Sequence, residues 1–202
     1  MIAVVNYGMG NLGSVKNAFD YIGVDSFVSE DAKKLSGADA LVLPGVGAFG
    51  DAMINLRKHG LEETVLTHID SGRPFLGICL GLQMLFESSA ESPGVKGLGV
   101  ISGTVEKFPE EIDLKIPQIG WNSIEVKDSM PVLGEFNESY MYFVHSYFAQ
   151  PDNMEQYAIK TRYGMDFTSA VEYKNILACQ FHPEKSGKTG LAILKKWIDL
   201  YL

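Results

Sequence analysis

The hydrophobic pattern of the chain changes character once along its length. In the first part, short apolar runs alternate with stretches in which apolar residues recur every three or four positions, as is typical of buried strands and amphipathic helices. We predict strands at 2–6, 26–28, 38–43 and 75–78, and helices at 14–22, 51–59, 61–69 and 80–86. This alternation predicts an α/β fold with a central, mostly parallel sheet and helices on both faces.

From residue 88 onward the pattern is different. A polar, glycine-bearing stretch at 88–99 precedes short segments joined by turns, and we predict strands at 104–107, 124–127, 140–148, 156–162 and 169–173. These segments predict an antiparallel extension of the sheet. A buried strand at 176–181 and an amphipathic helix at 187–202 then close the chain. Because no repeat or linker interrupts the pattern, we expect a single domain over residues 1–202.

The predicted strand at 75–78 meets the following helix at Cys79, which Gly77 and Gly81 flank in a Gly-x-Cys-x-Gly pattern. This is the cysteine counterpart of the Gly-x-Ser-x-Gly nucleophile elbow, where small neighbours permit a strained strand-to-helix turn. The positive end of the helix dipole there favours a thiolate, and the N–H of Leu80 is free to bind an oxyanion. The alternative is a small buried core cysteine, which is a common role for a free thiol.

A candidate base follows the apolar run at 176–181. His182 comes at the end of that predicted strand, Pro183 restricts the backbone after it, and Glu184 offers a carboxylate two residues later. An imidazole with an orienting carboxylate is the arrangement that activates a nucleophile. The sequence therefore predicts a Cys79, His182 and Glu184 triad.

A second glycine-bearing loop lies at another strand end of the same sheet. Ligands collect at the carboxyl ends of parallel strands, and the loop at 44–47 reads Pro-Gly-Val-Gly. We predict that a backbone N–H of Val46 or Gly47 joins that of Leu80 in holding an oxyanion. The alternative is an ordinary Gly/Pro turn.

Two further features leave other interpretations open. Gly8, Gly10 and Gly13 match the G-x-G-x-x-G dinucleotide fingerprint, with Glu30 or Asp31 at a suitable distance, so a non-catalytic dinucleotide-binding module is an alternative function. The histidines outside the triad have simpler roles. We expect His145, in an aromatic strand, to be structural, and His59 and His68, on amphipathic helices, to face solvent.

Composition restricts the class of function. The net charge of −8, without a Lys/Arg cluster, argues against a nucleic-acid partner and favours a small-molecule substrate. Two widely separated cysteines form neither a disulfide framework nor a zinc spacing, which is typical of a reducing cytoplasm. The first residues lack a basic lead and no apolar run reaches membrane-spanning length, so we expect a cytoplasmic protein without a signal peptide or membrane association.

The motifs at 77–83 and 182–184, with their order and separation, resemble those of the class I (triad) glutamine amidotransferases. Within that class the chain is similar to the glutaminase subunits of imidazole glycerol phosphate synthase. The segments at 6–11, 44–50, 119–122, 142–147 and 182–187 carry this similarity and span nearly the whole chain. The resemblance implies a flavodoxin-like fold, glutamine as substrate, and no cofactor or metal.

The resemblance also implies roles for individual residues. Cys79 would form a γ-glutamyl thioester, and the ammonia would pass to a (β/α)8-barrel cyclase in a heterodimer of histidine biosynthesis. Glutamine would be held by Gly47, Gln83, Ser146 and Tyr147, the last two through backbone groups. The partner surface would include Asn11, Trp121, Asn122, Tyr142 and Lys185, with the Trp-Asn pair in a turn. A glutaminase subunit of another amidotransferase remains an alternative, and so does a helix-capping or surface role for Gln83.

Overall fold

The computed structural model describes residues 1–152 and 157–202. In chain order its strands are β1 (Ile2–Val5), β2 (Ser26–Ser29), β3 (Ala40–Gly45), β4 (Phe75–Cys79), β5 (Ser88–Ser89), β6 (Gly103–Lys107), β7 (Gln118–Ser123), β8 (Tyr140–His145), β9 (Tyr147–Pro151), β10 (Ala158–Tyr163), β11 (Met165–Tyr173) and β12 (Ile176–Cys179). Its α-helices are α1 (Leu12–Tyr21), α2 (Ala32–Ser36), α3 (Phe49–Lys58), α4 (Glu62–Asp70), α5 (Leu80–Gln83) and α6 (Gly187–Tyr201).

The main sheet has a parallel half and a half that is antiparallel except for the parallel pair of β5 and β6. The parallel half has the order β2, β1, β3, β4, β12, so that β12 pairs with β4 although the two are far apart in the sequence. Beyond β12 the sheet continues through β11, β9, β6 and β5, with β10 also on β11. Strands β7 and β8 form a small antiparallel sheet of their own. The predicted α/β class and the antiparallel extension are confirmed.

Helices cover both faces of the parallel half because alternate residues of its strands point in opposite directions. In β1, Ile2 and Val4 share one buried cluster with Phe19 of α1 and Trp197 of α6. Ala3 and Val5 share the other cluster with residues of α2, α3 and α4, among them Leu35, Met53 and Val65. Since both of their faces are buried, β1, β3, β4 and β12 read as apolar runs in the sequence, whereas the edge strand β2 is only partly buried.

Several predicted elements differ from the structure. The predicted strand at 140–148 is two strands separated at Ser146, because the chain leaves β7 there and joins β6 in the main sheet. The predicted strand at 124–127 is wrong; Glu125 forms an isolated bridge to Lys160, and Ile124 bonds to the backbone of Glu138 and Ser139. The predicted helix at 80–86 is α-helical only through Gln83, after which the amide of Phe86 bonds to the carbonyl of Gln83 in a tighter turn.

The small sheet and a few short elements were not predicted. The turn expected at Trp121 and Asn122 is wrong, since both residues lie in β7 and pair with Tyr142 and Met141 of β8. Also unpredicted were α2, β5 and 3₁₀ turns at Gly134–Phe136 and Pro183–Lys185. The strand predicted at 156–162 corresponds to β10, but its first residue lies outside the described ranges. Across residues 1–152 and 157–202, we find no helix with the length and apolar character that membrane crossing requires.

Candidate active site

Cys79 lies at the junction of β4 and α5 in a strained backbone conformation. Its φ of 56° and ψ of −108° are rare for a residue with a side chain. The neighbouring backbone segments approach so closely that a Cβ on Gly81 would lie 1.8 Å from the carbonyl oxygen of Leu43. A Cβ on Gly77 would lie 3.0 Å from the carbonyl oxygen of Gly81. Gly81 is therefore required by the geometry that presents the thiol, and a side chain at Gly77 would be tightly crowded.

His182 follows β12, the strand that pairs with the nucleophile strand. Its backbone N–H donates to the carbonyl of Tyr142 at 3.0 Å, and a 3₁₀ turn then returns Glu184 to the imidazole. Nδ1 of His182 lies 2.7 Å from Oε1 of Glu184, and both side chains are almost completely buried. Because a carboxylate accepts, Nδ1 carries a proton and Nε2 is left for chemistry. Among the described residues, Nε2 has no partner in hydrogen-bond geometry.

The charge on the imidazole follows from its two neighbours. Burial by itself would lower the pKa of His182, but the interactions with Cys79 and with Glu184 outweigh burial and raise this pKa to about 9. The imidazole is therefore protonated at neutral pH and lies beside the sulfur. The structure thus places Glu184 in contact with His182 and the imidazole on the same side of the sheet as Cys79, and their action as a catalytic triad stays a prediction.

A cavity of about 340 Å³ opens onto the sulfur and the imidazole. Its lining includes the residues predicted to hold an oxyanion or glutamine, namely Val46, Gly47, Leu80, Gln83, Ser146 and Tyr147. It also includes four residues without a predicted binding role, namely Glu91, Pro117, Val144 and His145. A larger, open groove of about 780 Å³ beside Glu125 and Lys160 contains none of the triad residues. The smaller cavity is therefore the candidate active site.

Gln83 is a buried part of this cavity wall. Its amide nitrogen donates to the carbonyl of Tyr147 at 3.0 Å and to Oε1 of Gln180 at 2.9 Å. The alternative of a surface residue is wrong, because only 5% of Gln83 is exposed. Both N–H groups of the amide are used within the protein, so Oε1 is the atom that it can offer to a ligand.

Glu91 is a cavity residue that the sequence reasoning missed. Its carboxylate accepts from the backbone N–H of Phe49 at 2.7 Å, and Ser92 accepts in the same way from Gly50 at 2.9 Å. Both contacts lie at the start of α3, where free N–H groups attract an anion. Nothing local in the sequence marks Glu91, because its position depends on this tertiary contact and its own segment has no regular pattern.

The remaining histidines are structural or exposed. His145 is buried, with Nδ1 at 2.8 Å from the carbonyl of Tyr147 and Nε2 at 3.0 Å from Oε1 of Gln118. Burial lowers the pKa of His145 to about 4, so the ring is neutral, in keeping with the predicted structural role. The expectation that His68 faces solvent is wrong: it is fully buried, and its Nε2 lies 3.0 Å from the carbonyl of Pro74. His59 is exposed, as expected.

The residues predicted for a partner surface lie around the rim of the site. Trp121 is 55% exposed and packs edge-to-face against Tyr142, with 6.1 Å between ring centroids. Lys185 is exposed in the 3₁₀ turn after His182, and α1, which Asn11 caps, packs against this turn. Asn122 is half-buried, and its side-chain nitrogen donates to the carbonyl of Arg162 at 2.9 Å. One of its hydrogen-bond donors is therefore used within the fold.

The dinucleotide fingerprint has little support from the local geometry. The third glycine of that motif permits close packing between helix and strand. A Cβ on Gly13, however, would meet no atom within 4 Å. The acidic candidate Asp31 caps α2 instead, accepting from the N–H of Lys33 at 2.9 Å. These glycines therefore shape a loop whose conformation does not require a bound nucleotide.

Comparison with known proteins agrees with this geometry. Two relatives are named imidazole glycerol phosphate synthase subunit HisH. The one from Methanothermobacter thermautotrophicus is 50% identical over 200 residues, covering 99% of this chain and 98% of the relative. The one from Caldanaerobacter subterraneus is 47% identical over 202 residues, with the same coverage of 99% and 98%.

Solved structures share the fold at low identity. A crystal structure titled glutamine amidotransferase has a TM-score of 0.76 at 20% identity, covering 100% of this chain and 99% of that one. PurLQS from Thermotoga maritima has a TM-score of 0.74 at 17% identity, covering 98% and 97%. The family model described as glutamine amidotransferase class-I matches residues 3–200. The chain therefore belongs to the class I glutamine amidotransferase family.

Proposed function

We propose that this chain is the glutaminase subunit of an imidazole glycerol phosphate synthase. The observation that carries the proposal is the meeting of Cys79 and His182 at one cavity, with Glu184 behind the imidazole at the 2.7 Å contact that orients it. Family membership and two nearly full-length relatives with this subunit name support the assignment. Their high identity favours this synthase over another amidotransferase as the destination of the ammonia.

In the first half of the reaction, the Cys79 thiolate attacks the side-chain carbonyl carbon of glutamine. The resulting oxyanion is held by the N–H of Leu80 and by an N–H of Val46 or Gly47, all of which line the cavity. His182 donates the Nε2 proton to the amide nitrogen, the C–N bond breaks, and ammonia leaves. A γ-glutamyl thioester remains on the sulfur.

In the second half, water hydrolyses the thioester. The neutral His182 takes a proton from the water, whose oxygen attacks the thioester carbon. The C–S bond then breaks, so that glutamate is released and the thiolate and imidazolium are restored. Glu184 remains ionised throughout; it keeps the proton of the imidazole on Nδ1 and stabilises the charged ring. The net change is glutamine plus water to glutamate plus ammonia.

The wall of the cavity supplies complementary groups for glutamine. The Glu91 carboxylate lines the cavity and would accept from the α-ammonium group of the glutamine substrate. Oε1 of Gln83 would accept from another N–H of the same substrate. Gly47, Ser146 and Tyr147 would contribute backbone groups. No cofactor or metal takes part in this scheme.

The released ammonia would pass to a cyclase subunit with a (β/α)8 barrel, bound as a heterodimer in the cytoplasm. That cyclase would form imidazole glycerol phosphate and aminoimidazole carboxamide ribonucleotide in histidine biosynthesis. Asn11, Trp121, Asn122, Tyr142 and Lys185 would face the barrel. The proposal includes no nucleic-acid or membrane partner.

The test is to co-purify the chain with a barrel cyclase and to measure glutamine consumption with and without the nucleotide ligand of the cyclase. We expect weak turnover by the chain alone and strong stimulation by the liganded complex, because the loop at 44–47 is glycine-rich and its oxyanion donors are sensitive to conformation. Full turnover by the isolated chain would contradict this activation. A complex that leaves glutamine intact would refute the function. Saturable NAD binding would favour the dinucleotide alternative.

A further inference from the structure

The side chain of Gln180 is a buried polar group that the scheme above does not use. It lies between β12 and His182, is completely inaccessible to solvent, and its amide nitrogen is 3.5 Å from Sγ of Cys79. A buried amide must satisfy both ends of its side chain. The question is which end faces the sulfur, since the nitrogen donates and the oxygen accepts.

The neighbouring hydrogen bonds fix this orientation. The carbonyl of Tyr147 can only accept, so the nitrogen of Gln83 must face it, at 3.0 Å. The same nitrogen directs its second N–H to the oxygen of Gln180 at 2.9 Å. If Gln180 were reversed, two NH2 groups would face each other and its oxygen would face the sulfur. The carbonyl of Tyr147 therefore sets the orientation of Gln83, and Gln83 sets that of Gln180. As a result, an N–H of Gln180 is directed at the sulfur.

An N–H directed at the sulfur distinguishes between its two charge states. A hydrogen bond to an ionised acceptor is about twice as strong as one to a neutral acceptor. The donor therefore favours the thiolate over the thiol. It also favours release of the sulfur from the thioester, because that step restores the negative charge. Unlike His182, the amide exchanges no proton, so it remains a donor at every stage.

We propose that Gln180 is a catalytic residue that donates its side-chain N–H to the Cys79 thiolate, in an orientation fixed by Gln83 and Tyr147. The proposal rests on the proposed function for the role of Cys79 in turnover. The contact itself can be tested without turnover, by the reactivity of the thiol.

The experiment compares the full chain, in complex with the cyclase, with Gln180→Met and Gln180→Glu. Methionine approximates the shape without a donor, and glutamate keeps the shape but presents an acceptor. Iodoacetamide alkylation of Cys79 is followed by mass spectrometry from pH 5 to 10, which distinguishes Cys79 from the buried Cys179. We expect the pH midpoint of alkylation to rise by about one unit in Gln180→Met and further in Gln180→Glu. We also expect kcat to fall roughly ten- to a hundredfold with a smaller change in KM.

A residue that only fills space would give a different result. Gln180→Met, which approximates the shape without a donor, would then retain the original pH midpoint, and that outcome would overturn the proposal. If the complex does not consume glutamine but the midpoint still rises in both variants, the proposed function fails and the contact stands.

If the substitutions prevent folding, the unsubstituted chain gives the answer. Its Gln180 side-chain NH2 resonances should move when Cys79 titrates or is alkylated. Resonances that remain unchanged would equally rule out the contact.

Discussion

At the scale of single residues, the site depends on charged groups that stabilise one another's ionisation states. Glu184 orients His182 through a 2.7 Å contact, and Cys79 and Glu184 together keep the imidazole protonated against the effect of burial. Nucleophile, acid and orienting carboxylate are therefore coupled, so that removal of one alters the others. Two substitutions separate the loss of the reacting sulfur from the loss of a neighbouring charge.

Cys79→Ala removes the sulfur that forms the thioester. We expect ammonia production from glutamine to fall by at least about 10³-fold, because the covalent route is lost. Binding to the cyclase should be unchanged, since Cys79 is only 7% exposed and is not among the residues of the proposed partner surface. Ammonia release and complex formation by calorimetry are the two measurements. Unaltered turnover in this variant would refute the nucleophile assignment.

Glu184→Gln should shift the pH dependence of catalysis. With a pKa of about 9, His182 is a competent acid until the pH rises through that value, so activity should decline on the alkaline side. Removal of the Glu184 charge lowers this pKa, and the decline should move to lower pH while kcat falls on the order of 10²-fold. A pH profile of kcat/KM, which reports the pKa values of the free enzyme, is the measurement.

Glu172→Gln is the matched control for this profile. Glu172 is also buried, and it accepts from the N–H groups of Val132 and Leu133. Its substitution should lower the free energy of unfolding but leave the alkaline decline where it is. A common shift in both variants would mean that the decline does not report His182.

At the scale of secondary structure elements, the junction of β4 and α5 is the most constrained part of the fold. The strand must end and the helix must begin within one residue, and α5 crosses close to β3. The chain accommodates this only where side chains are absent. The constraint is therefore steric, and it can be tested by a single added methyl group.

Gly81→Ala places a methyl group against backbone that cannot move aside. Its Cβ would lie 1.8 Å from the carbonyl oxygen of Leu43, so we expect the free energy of unfolding to fall by more than about 3 kcal/mol, or folding to fail. Gly13→Ala is the control, since a Cβ there meets nothing within 4 Å and the residue lies in α1. The control should gain about 0.5 kcal/mol. Urea denaturation measures both, and equal effects would contradict the steric account.

The elements that could be predicted are those whose hydrophobic pattern alone indicates which of their faces are buried. The inner strands β1, β3, β4 and β12 are buried on both faces, so their apolar runs indicate the sheet directly, and the glycines around Cys79 indicate the elbow. In β7 the alternating apolar residues do not mark a buried face, because Ile119 and Trp121 are both exposed. Glu91 and Gln180 acquire their roles from residues distant in sequence, which no local pattern can indicate.

At the scale of the whole molecule, one edge of the parallel sheet combines catalysis with the proposed docking surface. Cys79 and His182 both lie at carboxyl ends of strands, where sites collect in sheets of this kind. Trp121 is exposed nearby and packs against the half-buried Tyr142, whose carbonyl accepts from the N–H of His182. Since α1 begins at this edge and runs back across the sheet, its last residues lie at the opposite edge.

Trp121→Ala should weaken the complex with the cyclase and leave the isolated chain stable. An exposed tryptophan at the centre of an interface commonly contributes about 2 kcal/mol, which is roughly a 30-fold increase in Kd. Tyr21→Ala is the matched control, because Tyr21 is 80% exposed at the far end of α1. Calorimetric titration with the cyclase measures both variants. A comparable loss of affinity in the control would contradict the proposed surface.

The pairing of β4 with β12 also makes the geometry of bond cleavage independent of much of the recognition surface. After α5 the chain makes an excursion away from the parallel half. It returns at β12, which pairs with β4. This ladder aligns the end of β4, where Cys79 lies, with the end of β12, just before His182, whatever the length of the chain between the two strands. Insertions, deletions or exchanged loops in parts of the excursion that neither line the cavity nor contact His182 can therefore create a new recognition surface while bond cleavage keeps its geometry.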